Sequence, residues 1–145
     1  MFIGNLTETI KLGKKFAKEL NPTSIVLLQG PIGAGKTSFI QGIAEGRSIS
    51  EDVTSPTFAL SHHYNSGRIP LVHLDLYRIE NNLIAKEIFI AEEEECYCNK
   101  AIMVIEWPEL IQPIVNNFWK IEISYAKNCG RNYKIWDPKN SLTFE

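Results

Sequence analysis

The first pattern along the chain is a helical one near its start. Asn5 is a good N-cap, and Glu8, three positions later, completes a capping box. Proline disfavours the helical conformation in the residue before it, so Asn21-Pro22 ends this segment. We therefore predict a first helix that reaches about Leu20. The apolar positions that recur at helical spacing are Leu6, Ile10, Phe16, Ala17 and Leu20.

Four later segments have the patterns of buried strands and of helices. Residues 25–28 and 101–105 are short, continuous apolar runs of the kind that form central strands of a sheet. A helix is predicted at residues 36–45, directly after a glycine-rich loop, and a mostly polar helix within residues 83–98. Strands and helices that alternate in this way indicate an α/β fold with a largely parallel core sheet.

Two pairs of segments predict β-hairpins. Residues 57–64 and 69–74 flank an Asn-Ser-Gly turn sequence, and residues 119–125 and 131–136 alternate in polarity on either side of a second turn. Hairpins add antiparallel strands, so we expect a mixed, largely parallel sheet in a three-layer α/β fold. The length of 145 residues fits a single domain, which we predict to span residues 1–145.

Composition and charge narrow the classes of function. The apolar fraction of 44% suits a packed protein, and a net charge of −2 gives no general attraction to nucleic acid. Any contact with RNA would need a local basic patch or a partner protein. The longest plainly apolar run, residues 101–105, is far too short to cross a bilayer, and the three cysteines read as reduced thiols. We expect a cytoplasmic protein with no membrane contact and no signal peptide.

The strongest chemical signal is a phosphate loop. Residues 30–37, with the sequence GPIGAGKT, match the motif G-x-x-x-x-G-K-[ST] in full. The glycines bring backbone N–H groups to phosphate oxygens, and the following helix presents its positive end to the same anion. We expect Lys36 to reach the β- and γ-phosphates of a nucleoside triphosphate, and the Thr37 hydroxyl to bind Mg²⁺. A chance match in an ordinary loop is disfavoured because the motif lies between an apolar strand and a helix. We therefore expect the three-layer fold to be of the P-loop NTPase type.

Two acidic residues are candidates for the metal site. Asp75 and Glu106 each follow an apolar strand, at the edge where α/β sheets bind ligands. Either acid suits the metal, and either is equally consistent with a solvated carboxylate that closes a strand. His73 lies two residues before Asp75 and would share its face of the strand. We interpret His73 as a structural residue.

A hydroxyl-rich segment follows the predicted phosphate-loop helix. Thr54, Ser55 and Thr57 occupy the position where switch-type loops sense the γ-phosphate, although an ordinary polar turn fits the sequence equally well. Trp107, directly after Glu106, is expected either to pack over a nucleotide or to fill an edge of the core.

Four segments in series resemble the TsaE family, the small ATPase of bacterial tRNA threonylcarbamoyladenosine biosynthesis. They are GPIGAGKTS at residues 30–38, SPTFAL at 55–60, HLDLYRI at 73–79 and IEWPE at 105–109. The phosphate loop is common to many enzymes, whereas the other three segments in this order are specific. The resemblance covers most of the chain.

The resemblance implies an ATPase that acts on a complex of two partner proteins, TsaD and TsaB, and meets tRNA only through that complex. ATP binding and hydrolysis would reset the transferase after it has modified adenosine in ANN-decoding tRNAs. Glu106 resembles the family's Mg²⁺ ligand beside Thr37, and Asp75 resembles a residue needed for hydrolysis. Ser55 and Thr57 fall in the switch-like loop.

The resemblance also implies a set of nucleotide-binding residues. Trp107 would lie beside the nucleotide, while Arg131 and the segment 6–9 would approach its adenosine part. Lys36 would be both a phosphate ligand and a catalytic residue. The full expected set is Thr7, Gly33, Ala34, Gly35, Lys36, Thr37, Ser38, Trp107 and Arg131.

One region departs from the family pattern. Residues 83–98 lack the Glu- and Gly-containing sequence expected there, and residues 92–95 form an acidic run instead. A solvated helix face or loop accounts for such a run. Because this region is a candidate for partner contact, the departure concerns the partner surface rather than ATP binding. The tail after Trp136 carries no recognisable motif.

Three alternative functions stay open. A small-molecule kinase would use the same phosphate cradle, but its usual arginine-rich lid is missing from the sequence pattern, in which the arginines are scattered. A GTPase is disfavoured because Ile102 stands where the guanine-reading motif begun by Asn99-Lys100 requires Asp. A nucleotide-sensing binding module with negligible turnover would use the same residues without hydrolysis.

Overall fold

The computed structural model describes residues 1–56 and 58–144 and shows a mixed eight-stranded sheet between two layers of helices. The helices are α1 (Leu6–Ala17), α2 (Lys36–Gly46) and α3 (Asn82–Asn99), with a 3₁₀ turn at Gln112–Ile114. The strands are β1 (Phe2–Ile3), β2 (Ile25–Gln29), β3 (Ser61–Tyr64), β4 (Leu71–Asp75), β5 (Ile102–Glu106), β6 (Phe118–Tyr125), β7 (Arg131–Trp136) and β8 (Leu142–Thr143). None of the helices in these two ranges has the length and apolar character needed to span a membrane.

The sheet has a parallel centre and antiparallel margins. Its strand order is β1-β7-β6-β2-β5-β4-β3, and β8 also pairs with β7. Strands β6, β2, β5 and β4 run parallel, whereas the other pairings are antiparallel, including the two predicted hairpins β3–β4 and β6–β7. The predicted α/β fold with a mixed, largely parallel sheet is therefore confirmed. The carboxyl ends of the four parallel strands meet at one edge, where the phosphate loop leaves β2.

Alternation along the strands divides the core between the two faces of the sheet. Val26 and Leu28 of β2 belong to the cluster that includes α1 and α2, whereas Ile25 and Leu27 belong to the cluster beneath α3. Side chains two residues apart on a strand share a face. Consequently Asp75 and Glu106, in step with Leu71 and Val104, lie on the α1 and α2 side.

Helices α1 and α2 touch through two glycines. A Cβ atom added to Gly42 would lie 2.3 Å from the carbonyl oxygen of Ile10, and one added to Gly13 would lie 2.3 Å from that of Phe39. No larger residue fits this crossing without moving the backbone. The position of α2, and with it the end of the phosphate loop, is therefore fixed against α1.

The first helix is shorter than predicted. Helix α1 ends at Ala17 rather than at about Leu20, because the N–H groups of Lys18, Glu19 and Leu20 each bond to a carbonyl three residues back, which tightens the turn. Leu20 is nevertheless buried, so its apolar position was predicted correctly. At the other end Asn5 caps the N–H of Glu8 as expected.

The reciprocal bond of the predicted capping box goes to a different donor. The Glu8 carboxylate accepts from the N–H of Gly4 at 2.7 Å, one residue before the donor that a capping box uses. The helix start is still satisfied from both sides. The prediction was therefore right about the residues involved and wrong about one bond.

The first strand of the β3–β4 hairpin begins later than predicted. The prediction started at residue 57, which lies outside the described residues, and β3 starts at Ser61. Residues 58–60 form a turn in which Leu60 has a φ of 62°, a left-handed conformation that a strand does not accommodate. The hairpin itself is paired in register from Ser61 with Leu74 to Tyr64 with Leu71.

Candidate functional site

The phosphate loop joins the buried strand β2 to the first turn of α2. Gly33 and Gly35 have φ values of 75° and 95°, which side-chain-bearing residues rarely adopt. Gly35 is the N-cap of α2, and no side chain caps this helix start. The first N–H groups of α2 are thus available to an anion, which the motif predicts to be a phosphate.

Lys36 is held inside the loop that precedes it. Its Nζ donates to the carbonyl oxygens of Gly30 at 2.7 Å and Pro31 at 2.8 Å, and lies 4.5 Å from the centre of the Trp107 ring. Burial lowers the pKa of Lys36, while the carboxylates of Glu106 and Asp75 act in the opposite direction. The ammonium is therefore positioned at the phosphate loop and faces both candidate acids.

The two acids end neighbouring parallel strands. Asp75 and Glu106 are the last residues of β4 and β5, whereas the sequence pattern placed them just beyond the ends of these strands. The two residues are paired in register. Glu106 is buried, and its Oε2 lies 2.8 Å from Nε2 of the fully buried His73. His73 thus contacts a candidate metal ligand, a role that its interpretation as a merely structural residue did not include.

Asp75 is held by two donors. Its Oδ1 accepts from the N–H of Tyr77 at 2.9 Å, and its Oδ2 accepts from the hydroxyl of Ser55 at 3.3 Å. Burial raises the pKa of Asp75, and the charge of Glu106 adds to this shift, whereas the Tyr77 N–H bond opposes it. Asp75 is therefore a more basic carboxylate than one in water, with a fixed orientation.

A cleft of about 410 Å³ gathers most of these groups. It lies between the phosphate loop and the ends of β4 and β5. Tyr77 and Trp107 form one wall, with ring centres 4.9 Å apart. The predicted site residues that line it are Gly33, Gly35, Lys36, Thr37, Ser55, Asp75, Glu106 and Trp107.

A second cavity, of about 270 Å³, lies on the other side of the phosphate loop. The segment before α1 and the start of α1 form one side, and the β6–β7 turn forms the other. Gly33 and Gly35 line both spaces, so the two cavities adjoin at the phosphate loop. The cavity is lined by Ile3, Gly4, Asn5, Leu6, Thr9, Gly33, Ala34, Gly35, Ser38, Cys129, Gly130 and Arg131.

The lining of this cavity differs in part from the sequence prediction. Of the residues predicted to bind nucleotide, Ala34, Ser38 and Arg131 line this cavity, and the segment 6–9 contributes Leu6 and Thr9 rather than Thr7. Thr7 is exposed on α1 and is not among the lining residues. Thr57, predicted for the switch-like loop, lies outside the described residues.

The β6–β7 hairpin supports the phosphate loop from outside. Arg131 donates to the carbonyl oxygen of Gly33 at 3.2 Å, and the Tyr125 hydroxyl donates to that of Ile32. Tyr125 and Arg131 are opposite each other across the hairpin, and the guanidinium lies 4.6 Å from the Tyr125 ring centre. No sequence motif singled out Tyr125, because its position depends on the register of the hairpin.

The match to a family sequence model decides the family. Residues 3–133 match the model described as "Threonylcarbamoyl adenosine biosynthesis protein TsaE". The chain belongs to the TsaE family. The family resemblance of the four sequence segments is thereby confirmed, and membership associates the chain with threonylcarbamoyladenosine modification of tRNA.

Individual TsaE proteins and one solved structure agree with this assignment. The TsaE protein of Nostoc sp. is 35% identical over 135 residues, which cover 93% of this chain and 83% of that protein. The TsaE protein of Synechocystis sp. is 38% identical over 74% of this chain and 69% of its own length. The crystal structure of Bacillus subtilis YdiB is similar with a TM-score of 0.71 and 28% identity, covering 92% of this chain and 80% of that one.

Proposed function

We propose that this chain is an Mg²⁺-dependent ATPase that acts with TsaD and TsaB in forming threonylcarbamoyladenosine on ANN-decoding tRNAs. In this proposal ATP binding and hydrolysis reset the transferase complex. The observation that supports it best is the cleft in which Lys36, Thr37, Asp75 and Glu106 converge at one edge of the sheet. A lysine, a hydroxyl and two carboxylates around a phosphate loop are the groups that nucleotide hydrolysis uses.

The triphosphate tail would bind along the phosphate loop. The uncapped N–H groups at the start of α2 provide donors of fixed direction, and the Lys36 ammonium provides a charge. Lys36 now bonds two loop carbonyls, so it would exchange these bonds for phosphate oxygens without leaving the loop. Trp107 limits its movement on the other side.

The donor set in the cleft fits Mg²⁺. The hydroxyl of Thr37 and the carboxylate of Glu106 are hard oxygen donors, which this ion prefers. Thr37 and Glu106 would hold an ion there that supplies positive charge against the phosphate oxygens of the nucleotide. His73 holds Glu106 at 2.8 Å and so fixes which carboxylate oxygen is directed away from it.

Asp75 would position the water that attacks the γ-phosphate. The carboxylate is fixed by the Tyr77 N–H and the Ser55 hydroxyl, and its raised pKa makes it a better hydrogen-bond acceptor. Ser55 belongs to the switch-like segment, so the position of that segment and the orientation of Asp75 are coupled. This coupling would link the state of the nucleotide to the surface of the protein.

The adenosine part would enter the second cavity. That cavity begins at Gly33 and Gly35, where the phosphate cleft ends, and Arg131 and Thr9 lie on its walls. The TsaD and TsaB proteins would then meet a chain whose loop and hairpin are organised by the nucleotide. The net charge of −2 supports indirect rather than direct contact with tRNA. In this proposal the protein works in the cytoplasm, where the tRNA is modified.

Phosphate release from ATP, measured with and without TsaB and TsaD, tests the proposal. We expect slow release by the chain alone, acceleration by the two partners, and loss of both in Lys36→Ala. Transfer of phosphate to a nucleoside or sugar would show a kinase instead. Tight ATP binding with no release, even with both partners, would show a binding module.

A test in cells addresses the pathway. A bacterium depleted of its own TsaE should regain threonylcarbamoyladenosine in its tRNA when this chain is expressed, as measured by mass spectrometry of digested tRNA. Lys36→Ala is the matched negative control. Failure of the chain to restore the modification, despite ATP hydrolysis in vitro, would contradict the assigned partners and leave the ATPase intact.

A further inference from the structure

A histidine and two glutamates meet at the α3 face of the sheet, opposite to the face that carries Asp75 and Glu106. His63 lies on the edge strand β3, and Glu92 and Glu95 lie one turn apart on α3. One ligand-capable atom from each of the three lies within 4.8 Å of the others. Nε2 of His63 is 3.1 Å from Oε2 of Glu92. The strand and the helix thus bring together three metal-binding side chains that are far apart in sequence.

The charge around this cluster is negative and poorly balanced. Residues 92–95 are four consecutive glutamates in the last two turns of α3, where the helix dipole disfavours negative charge, and the last turn carries no basic residue. In the described parts of the chain, no lysine or arginine forms an ion pair with any of the four. A bound cation would relieve this repulsion.

We propose that His63, Glu92 and Glu95 form a binding site for a divalent transition-metal ion of the Zn²⁺ type. An imidazole nitrogen with two carboxylates is a donor set that Zn²⁺ accepts, with water completing its coordination. Mg²⁺ avoids nitrogen ligands, so this site differs in kind from the oxygen-only set of Thr37 and Glu106. It coincides with the acidic run that departs from the TsaE sequence pattern.

The geometry requires only small side-chain adjustments. Tetrahedral bonds of about 2.0–2.1 Å place ligand atoms roughly 3.3 Å apart. His63 and Glu92 are already at 3.1 Å. Glu95 is exposed, so its carboxylate has room to approach the other two. Ser61 donates to the second oxygen of Glu92 at 3.0 Å and so orients that ligand.

An ion at this site would join β3 to α3. Strand β3 is at the edge of the sheet and pairs only with β4 among the described strands. Its N-terminal end follows the segment that contains Ser55. Binding should therefore stabilise the folded chain, and the segment that precedes β3 should share in that stabilisation.

Calorimetric titration of the chelator-treated full chain with ZnCl₂ tests the site directly. Millimolar Mg²⁺ is included to saturate the phosphate cleft, and no nucleotide is present. We expect one Zn²⁺ per chain, with affinity lower by roughly tenfold or more in His63→Gln and in Glu95→Gln, because each removes one of three ligands. Glu94→Gln, a neighbouring change of the same charge, should keep the affinity of the unaltered chain. The melting temperature should rise with Zn²⁺ in the same variants that bind it.

A second measurement identifies the donor atoms. Co²⁺ replaces Zn²⁺ and gives a visible spectrum, in which thiolate ligands add an intense charge-transfer band. We expect a spectrum without that band and unchanged binding in Cys98→Ser. Equal losses in Glu94→Gln and Glu95→Gln, a thiolate band, dependence on Cys98, or no binding of Zn²⁺ would each overturn the proposal.

Discussion

The helices on the two faces of the sheet are buried to different extents. On one face α1 buries five of its twelve residues and α2 buries six of eleven, whereas on the other face α3 buries three of eighteen. Helix α3 also exposes Leu83, Ile90 and Tyr97, and a cavity of about 450 Å³ lies beneath it. One layer is well buried, largely through the contact of α1 with α2, and the other is mostly exposed.

The difference in burial separates the candidate catalytic groups from the region whose sequence departs from the family. The cleft beside the phosphate loop is on the face where α2 is fixed by its glycine contact with α1, and the proposed hydrolysis of a nucleotide requires groups held in place. Helix α3, on the other face, carries the acidic run and the departure from the family sequence. We infer that the exposed residues of α3 outside the cluster of His63, Glu92 and Glu95 tolerate substitution, while the buried residues beneath α2 do not.

The largest expected effect is that of Lys36→Ala. Removing the ammonium from the phosphate loop should weaken ATP binding roughly 100-fold, because charge-assisted hydrogen bonds contribute about 1.5–3 kcal/mol. Calorimetric titration with ATP and Mg²⁺ measures it. Lys11→Ala, on the exposed side of α1, is the matched control and should bind normally. Unchanged affinity in Lys36→Ala would remove the basis for the site.

Glu106→Gln should affect turnover more than binding. Loss of the proposed metal ligand is expected to reduce Mg²⁺-dependent phosphate release by roughly 100-fold, while affinity for ATP without Mg²⁺ changes little. Glu87→Gln is the control, since Glu87 is exposed on α3 and does not line the cleft. Equal losses of both properties in Glu106→Gln would point to a folding defect.

Gly42→Ala tests how closely α1 and α2 pack where they cross. Its Cβ would lie 2.3 Å from a backbone oxygen, so overpacking should lower the free energy of unfolding by about 1–3 kcal/mol, despite the helix preference for Ala. Urea denaturation measures the change. At Gly4 the nearest atom to an added Cβ would be a flexible Glu8 oxygen at 3.4 Å, so Gly4→Ala should be nearly neutral. Similar losses in the two variants would contradict the asymmetry of the layers.

The smallest effect concerns the few contacts of α3. Burial raises the pKa of the Cys96 thiol to about 12, with nearby glutamates adding to the shift, whereas Cys98 and Cys129 are exposed. A thiol reagent at pH 8 should therefore modify two cysteines quickly and the third only upon unfolding, as counted by mass spectrometry. Fast reaction of all three would show that α3 opens readily.

The same thiol has a consequence for stability. The pKa of Cys96 is higher in the folded state than in the unfolded state. Burial of the neutral thiol therefore contributes fully to the free energy of unfolding below the ordinary pKa of 9.0. This contribution is lost as the pH rises towards about 12. Unfolding curves at pH 8 and pH 10.5 should show a loss that Cys96→Ala reduces. An identical loss in the variant would assign it to other groups.

Sequence reasoning succeeded where chemistry and local pattern coincide. The phosphate loop, both hairpins and the strand-end positions of Asp75 and Glu106 follow from motifs and alternation within a few residues. It failed where the outcome depends on packing between distant segments. The bond from Tyr125 to the loop requires the register of β6 and β7, and the contact of His73 with Glu106 requires the pairing of β4 with β5. The early end of α1 depends on a tightened turn that apolar periodicity does not reveal.

The support of the phosphate loop by the last hairpin has a consequence for synthesis on the ribosome. The glycine loop and its lysine are made within the first quarter of the chain, but Tyr125 and Arg131, which hold the carbonyls of Ile32 and Gly33, are made near the end. A nascent chain that has exposed only its early residues therefore carries the motif without the supporting bonds. Full nucleotide binding should arise only after translation has passed β7, so that incomplete chains do not compete for ATP.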